Sequence, residues 1–210
     1  MGLFITFEGI EGSGKTSHIA AVTRALAGRG EPYVLTREPG GTAIGDGIRD
    51  LLLDPANTMM AHDTELLLYL ASRRQNIEEV ILPALRDGYT VLCDRFEDSS
   101  LAYQGHARGL GIEHVRRASR AAGIDLRPDL TVLLDLPAEL GLERARGRPL
   151  AGDTRFENER LEFHRAVREG YLLLAGEEKE RFRVVDAGGE PETVSAEVVR
   201  LVLEALGRPR

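Results

Sequence analysis

The chain has 210 residues, enough to bury the core of one α/β domain and too few to require two. Its net charge of −7 argues against a general nucleic-acid-binding surface, so positive charge should gather where an anionic ligand sits. A single cysteine, Cys93, excludes a disulfide framework and suits a reducing cytoplasm, and no apolar run approaches membrane-spanning length.

In chain order, "LFITF" (3–7) reads as a short strand entered directly, and no signal peptide is expected. "GIEGSGKT" (9–16) follows, with Gly9, Gly14, Lys15 and Thr16 at the spacing of a phosphate-cradling loop. Gly9, Gly12 and Gly14 permit backbone angles and close approach that side chains would obstruct. The stretch Gly9, Ile10, Glu11, Gly12, Ser13, Gly14, Lys15, Thr16 and Ser17 is therefore assigned to the phosphates of a nucleoside triphosphate, held by backbone N–H groups and a helix dipole. Lys15 is expected to reach the outer phosphates as an exposed ligand, and Thr16 to offer its hydroxyl to Mg2+.

Helical patterns over 15–27, 44–53, 63–86, 112–122, 138–147, 156–178 and 191–206 alternate with apolar strands at 33–36, 90–93, 130–136 and 181–185. This alternation predicts an α/β fold: a P-loop NTPase three-layer sandwich with a five-stranded, mainly parallel sheet, in one domain spanning 1–210. Ligands then sit at the C-terminal ends of the strands, where Glu8, Arg37, Glu38, Asp94, Arg95, Asp135, Asp186 and Ala187 fall. Gly147, Pro149 and Gly152 break the helical pattern amid arginines, which marks 144–155 as a candidate lid or a solvated loop.

No Asn-Lys-x-Asp stretch reads guanine, and no Glu follows the strand-end Asp in "VLCDRF" or "LLDLP" to activate water. Transfer to an organic acceptor is favoured over hydrolysis. Asp94 is assigned to magnesium or an acceptor oxygen, and Arg95 to a second phosphate. Arg37, Arg49, Arg73, Arg144, Arg146, Arg148 and Arg155 add positive charge near the strand ends and the lid. Asp135 reads as a metal ligand or, by preference, a cap of the next helix. The five histidines, His106 and His164 among them, show no triad or metal spacing and read as surface or loop residues.

"FEGIEGSGKT", "TREPGGT", "LLLYLASRRQ", "CDRFEDSSLAYQG", "RPDLTVLLDLP", "GLERARGR" and "DTRFE" occur together in this order. The chain thereby resembles the bacterial thymidylate kinases, nucleoside monophosphate kinase-like enzymes that transfer the γ-phosphate of ATP to dTMP. The resemblance spans nearly the whole chain. It implies that Lys15, Asp94, Arg95, Arg144 and Arg148 serve catalysis, with ATP and Mg2+ held by the loop and adenine near Arg144 and Ala187. It implies a dTMP site of Glu11, Arg37, Glu38, Arg49, Tyr69, Arg73, Arg95, Ser99, Ser100, Tyr103 and Gln104. Tyr69 would stack on thymine, although its place in an apolar helix face also suits the core. Arg73 would bond a thymine carbonyl, and Tyr103 would sit against C2′ of the sugar. Where one subgroup carries Arg after Glu11 this chain has Gly12, so the missing charge is expected from the lid. A homodimer is implied by the family alone. The alternatives are a P-loop kinase for another nucleotide or deoxynucleoside, or a non-catalytic ATP-binding switch.

Overall fold

The structure is a computed structural model that describes residues 2–147, 156 and 159–207. Its sheet contains β1 (Phe4–Glu8), β2 (Tyr33–Arg37), β3 (Thr90–Asp94), β4 (Leu130–Asp135) and β5 (Phe182–Asp186) in the order β2-β3-β1-β4-β5. Every pairing is parallel. Helices cover both faces, which is why β1 is buried at all five positions and its sequence shows no polar alternation. The order reverses at β1, between β3 and β4, and such a switch point opens a crevice beyond the strand ends.

Helix α1 (Lys15–Gly28) buries Ile19, Val22 and Leu26 and packs beside the last helix. Helix α2 (Ala43–Leu53) starts where Thr42 Oγ1 accepts the Gly45 N–H, and lies against α3 (His62–Asn76). The single helix expected over 63–86 is instead α3, a π turn at Ile77–Ile81 and α4 (Leu82–Arg86). A further helical stretch that the sequence reading missed joins α5 (Glu97–Ser100) to a π-helical segment at Leu101–Ala107.

Then follow α6 (Ile112–Ala121), α7 (Ala138–Arg146), α8 (Leu161–Glu177) and α9 (Pro191–Leu206). The helix expected from 156 begins at Leu161, and Phe156 occupies a turn. Gly170 of α8 meets the π-helical segment closely: a Cβ there would lie 3.0 Å from His106 Cβ and 3.1 Å from Ala102 Cα. That approach brings α8 side chains to the strand ends. Of the expected lid, residues 144–147 are the end of α7, while 148–155, with Arg148 and Arg155, lie outside the described residues. Among the described residues no helix is long and apolar enough to cross a membrane.

Candidate active site

The turn from β1 into α1 opens the site. Gly9, Gly12 and Gly14 hold φ of 142°, 74° and 83°, values that side chains resist. Gly12 has a second constraint, since a Cβ there would lie 2.0 Å from the Gly141 carbonyl oxygen of α7. The Ser17 N–H bonds the Gly14 carbonyl and starts α1 directly behind the loop.

Lys15 was expected to be exposed. It is only 8% exposed, because its ammonium turns back and donates to the Gly9 and Ile10 carbonyls at 2.8 and 3.0 Å. Burial first, then the neighbouring Arg95, lowers its pKa to about 8.

Residues 11–16 of the loop form one wall of a cleft. The opposite wall holds Asp94 and Arg95 from the end of β3, Arg37, Glu38 and Arg49 from β2 and α2, and Tyr69 and Arg73 from α3. Ser99, Tyr103 and Gln104 close it from the stretch missed in the sequence, together with Phe156. Arg37 is exposed and pairs with Asp46 at 3.2 Å, whereas Arg49 donates to the Pro39 carbonyl at 2.9 Å. The rings of Tyr69 and Phe156 lie 6.4 Å apart, tilted by 59°.

Donor and acceptor walls meet at Glu11. Its carboxylate accepts Tyr103 OH at 2.8 and 2.9 Å and Arg95 Nη2 at 3.0 Å. His164 Nδ1 lies 3.3 Å from Glu11 Oε2. Burial would push the Glu11 carboxyl up, but His164, Arg95 and Lys15 override it and hold the group well below the usual range. Glu11 is therefore an anion at neutral pH.

Behind the wall, Arg73 donates to Glu38 at 2.6 Å, to the Phe96 carbonyl at 2.9 Å and to Ser100 Oγ at 3.0 Å. Its Nη1 is buried with no hydrogen-bond partner. Ser100 thus grips Arg73 and lies outside the cleft lining. Gln104 Nε2 donates to Glu65 at 2.8 Å, which fixes the amide it presents. On the donor side Arg144 Nη1 donates to the Ala187 carbonyl at 2.8 Å, so α7 and the end of β5 join beside α1. Arg144 and Ala187 also lie outside the lining of the cleft.

Two other expectations are corrected. Asp135 neither caps α7, whose N-cap is Pro137, nor faces the cleft; it makes a two-point ion pair with Arg168 at 2.7 and 2.9 Å. His164 and His18 are buried, at 1% and 5% exposure, rather than surface residues. His164 sits on the inner face of α8, where "FHRAV" carries no motif to mark it. His18 bonds Ser195 at 2.8 Å and ties α1 to α9. Tyr171 was also missed, because an aromatic on an apolar helix face reads as core; its hydroxyl reaches Arg95 at 3.1 Å.

Comparison with known proteins is consistent along the chain. A family model described as Thymidylate kinase matches residues 7–198. The thymidylate kinase of Pelobacter propionicus is 53% identical over 208 residues, covering 97% of this chain and 95% of that protein. That of Desulfovibrio desulfuricans is 50% identical, covering 99% of this chain and 98% of that protein. That of Geobacter sulfurreducens is 49% identical, covering 99% and 100%.

Proposed function

The chain belongs to the thymidylate kinase family, and on that premise we propose how its cleft moves the γ-phosphate of ATP onto dTMP, giving dTDP and ADP. The observation that carries this function is the contact at Glu11, where a phosphate-binding loop bonds directly to Arg95 and Tyr103 of the acceptor wall. A nucleotide switch needs no such second wall.

Loop N–H groups and Lys15 hold the donor phosphates, with Lys15 exchanging its bonds to the Gly9 and Ile10 carbonyls for phosphate oxygens. Arg95 binds the acceptor phosphate, supported by Arg37 or Arg49. Arg73 presents its unpartnered Nη1 to a thymine carbonyl, Tyr69 and Phe156 flank the base, and Tyr103 borders the sugar. Transfer breaks the bond between the γ-phosphorus and the bridging oxygen of ADP and forms one to a dTMP phosphate oxygen. No covalent enzyme intermediate is required. Arg144 neutralises charge from the donor side.

Magnesium fits the residues present. Asp94 Oδ1 is buried without a hydrogen-bond partner, and Thr16 lines the same cleft, so the two would hold the cation. When bound, it would neutralise negative charge on the ATP phosphates. A homodimer working in the cytoplasm, where its substrates are made, completes the proposal; both parts rest on the family resemblance.

A coupled assay of ADP release with dTMP, dUMP, dCMP, AMP or no acceptor tests the function. Turnover stimulated most by dTMP is expected. Equal ADP release without an acceptor would overturn it.

A further inference from the structure

We propose that Glu8, outside the cleft and without substrate contact, is the positioning residue that aims Arg95 at the acceptor phosphate. The inference rests on the function proposed above and assigns Glu8 a part in acceptor binding alone.

Arg95 has φ of 70°, and among the described residues it is the one non-glycine with positive φ. Such a backbone persists only where its surroundings hold it. The Arg95 N–H donates to the Phe7 carbonyl at 3.0 Å, and the next N–H, of Phe96, donates to Glu8 Oε1 at 2.7 Å. One oxygen of Glu8 thus pins the turn.

The other oxygen governs the side chain. Glu8 Oε2 accepts Ser99 Oγ at 2.6 Å and Tyr171 OH at 2.8 Å. Those same hydroxyl oxygens accept Arg95 Nη1 at 3.3 and 3.1 Å. Because each hydroxyl has a single proton, donating it to Glu8 leaves its lone pairs facing the guanidinium. The two hydroxyls also lie 2.8 Å apart, so a proton that either gave the other would be withheld from Glu8; Glu8 fixes their places and competes for their protons. Arg95 Nη2 is held by Glu11 at 3.0 Å, so the guanidinium is gripped from two sides and its orientation in the cleft is set.

A purely structural role accounts poorly for a carboxylate here. Glu8 is 0% exposed, and burial together with the nearby Asp98 pushes its carboxyl up to about 7. A core without a positioning task would lose that cost by using an apolar residue. Arg181 instead pairs with Asp98 at 2.7 Å through both terminal nitrogens, compensating the second carboxylate while Glu8 is kept for the hydroxyls.

Glu8→Gln keeps an oxygen for the Phe96 N–H but places an NH2 where the hydroxyls donate. The hydroxyls then lose their carboxylate acceptor and can direct a proton only to each other or away from Glu8, which disturbs the relay. The test is steady-state kinetics of wild type, Glu8→Gln, Tyr171→Phe and the double variant at about pH 8.5, where Glu8 is ionised, with dTMP affinity measured by calorimetry without ATP. Glu8→Gln is expected to raise the KM and Kd for dTMP on the order of 10–100-fold, as misplacing a binding group does, with the KM for ATP changed less than about twofold. Tyr171→Phe should raise the dTMP KM in the same direction, and the double variant should be no worse than Glu8→Gln, because both cut one relay. An unchanged dTMP KM, equal losses for both substrates, or additive effects would overturn the inference. If Glu8→Gln does not fold, Tyr171→Phe with Ser99→Ala decides through the same split between dTMP and ATP. Failure of the proposed function is separable, since wild type would then show no dTMP-stimulated turnover.

Discussion

Lys15 illustrates how a buried charge is held against the cost of burial. Burial and Arg95 lower its pKa to about 8, Asp94, Glu11 and Glu8 partly offset them, and the ammonium stays largely charged at neutral pH. Lys15→Ala should therefore leave the far-ultraviolet circular dichroism unchanged while ADP formation nearly disappears; turnover at the wild-type rate would sink the loop assignment. Arg95 differs, because its target phosphate is charged before the reaction begins. Arg95→Ala should raise the KM for dTMP strongly and lower kcat less, which initial-rate measurements would separate. At the base, the pocket can sense the thymine methyl only by packing. Turnover of dTMP should exceed that of dUMP by about 10–200-fold in kcat/KM, the discrimination one methyl in an apolar site supports. Indifference between the two would show that the base does not reach the Tyr69 and Phe156 rings.

At the scale of elements, α7 is fitted to the phosphate loop through two glycines. A Cβ on Gly12 would lie 2.0 Å from the Gly141 carbonyl, and one on Gly141 would lie 2.6 Å from the Glu11 carbonyl and 2.8 Å from Ile10 Cδ1. The absence of an arginine at position 12 is thus a packing requirement as well as a lost charge, so Gly12→Arg is a poor rescue for a lid variant. Gly141→Ala should displace the loop, lower stability by about 1–3 kcal/mol as overpacking does, and raise the KM for ATP. Thermal unfolding and ATP titration check this, and wild-type values in both would mean that α7 yields freely. Sheet and helices were legible because apolar runs and 3.6-residue periods are local signals, as in β1 and α1. The stretch 97–107 was not, because "EDSSLAYQGHA" carries no such period and its second half winds as a π-helix. The grip on Arg95 was also invisible, since it joins Glu8 to Ser99 and Tyr171 across 91 and 163 residues. Motifs mark residues that face a ligand, whereas the groups holding them are set by tertiary contact.

The whole molecule carries a stability cost at its functional centre, and that cost depends on pH. Glu8 has an ordinary carboxyl pKa of 4.5 when unfolded and about 7 when folded, raised first by burial and then by Asp98. Between those values the folded chain binds more protons at this group than the unfolded chain does. Its contribution is therefore most favourable below pH 4.5 and is lost as pH rises through 7. Ser99, Tyr171 and Arg95 lessen the loss without removing it, because they favour the charged form. Titrating groups that do not sense the Glu8 charge are common to wild type and Glu8→Gln and cancel in a comparison of the two, whereas Lys15, whose charged form Glu8 favours, adds to the difference. Urea unfolding of both proteins at about pH 5 and about pH 8 reads the Glu8 contribution together with its effect on such neighbours. Wild type should lose stability relative to Glu8→Gln on going to the higher pH. A constant difference between the proteins would mean that Glu8 titrates alike in the folded and unfolded chains. A difference of opposite sign would mean that the hydroxyls, the Phe96 N–H and Arg95 outweigh burial, and the carboxylate would then stabilise the fold it was expected to strain.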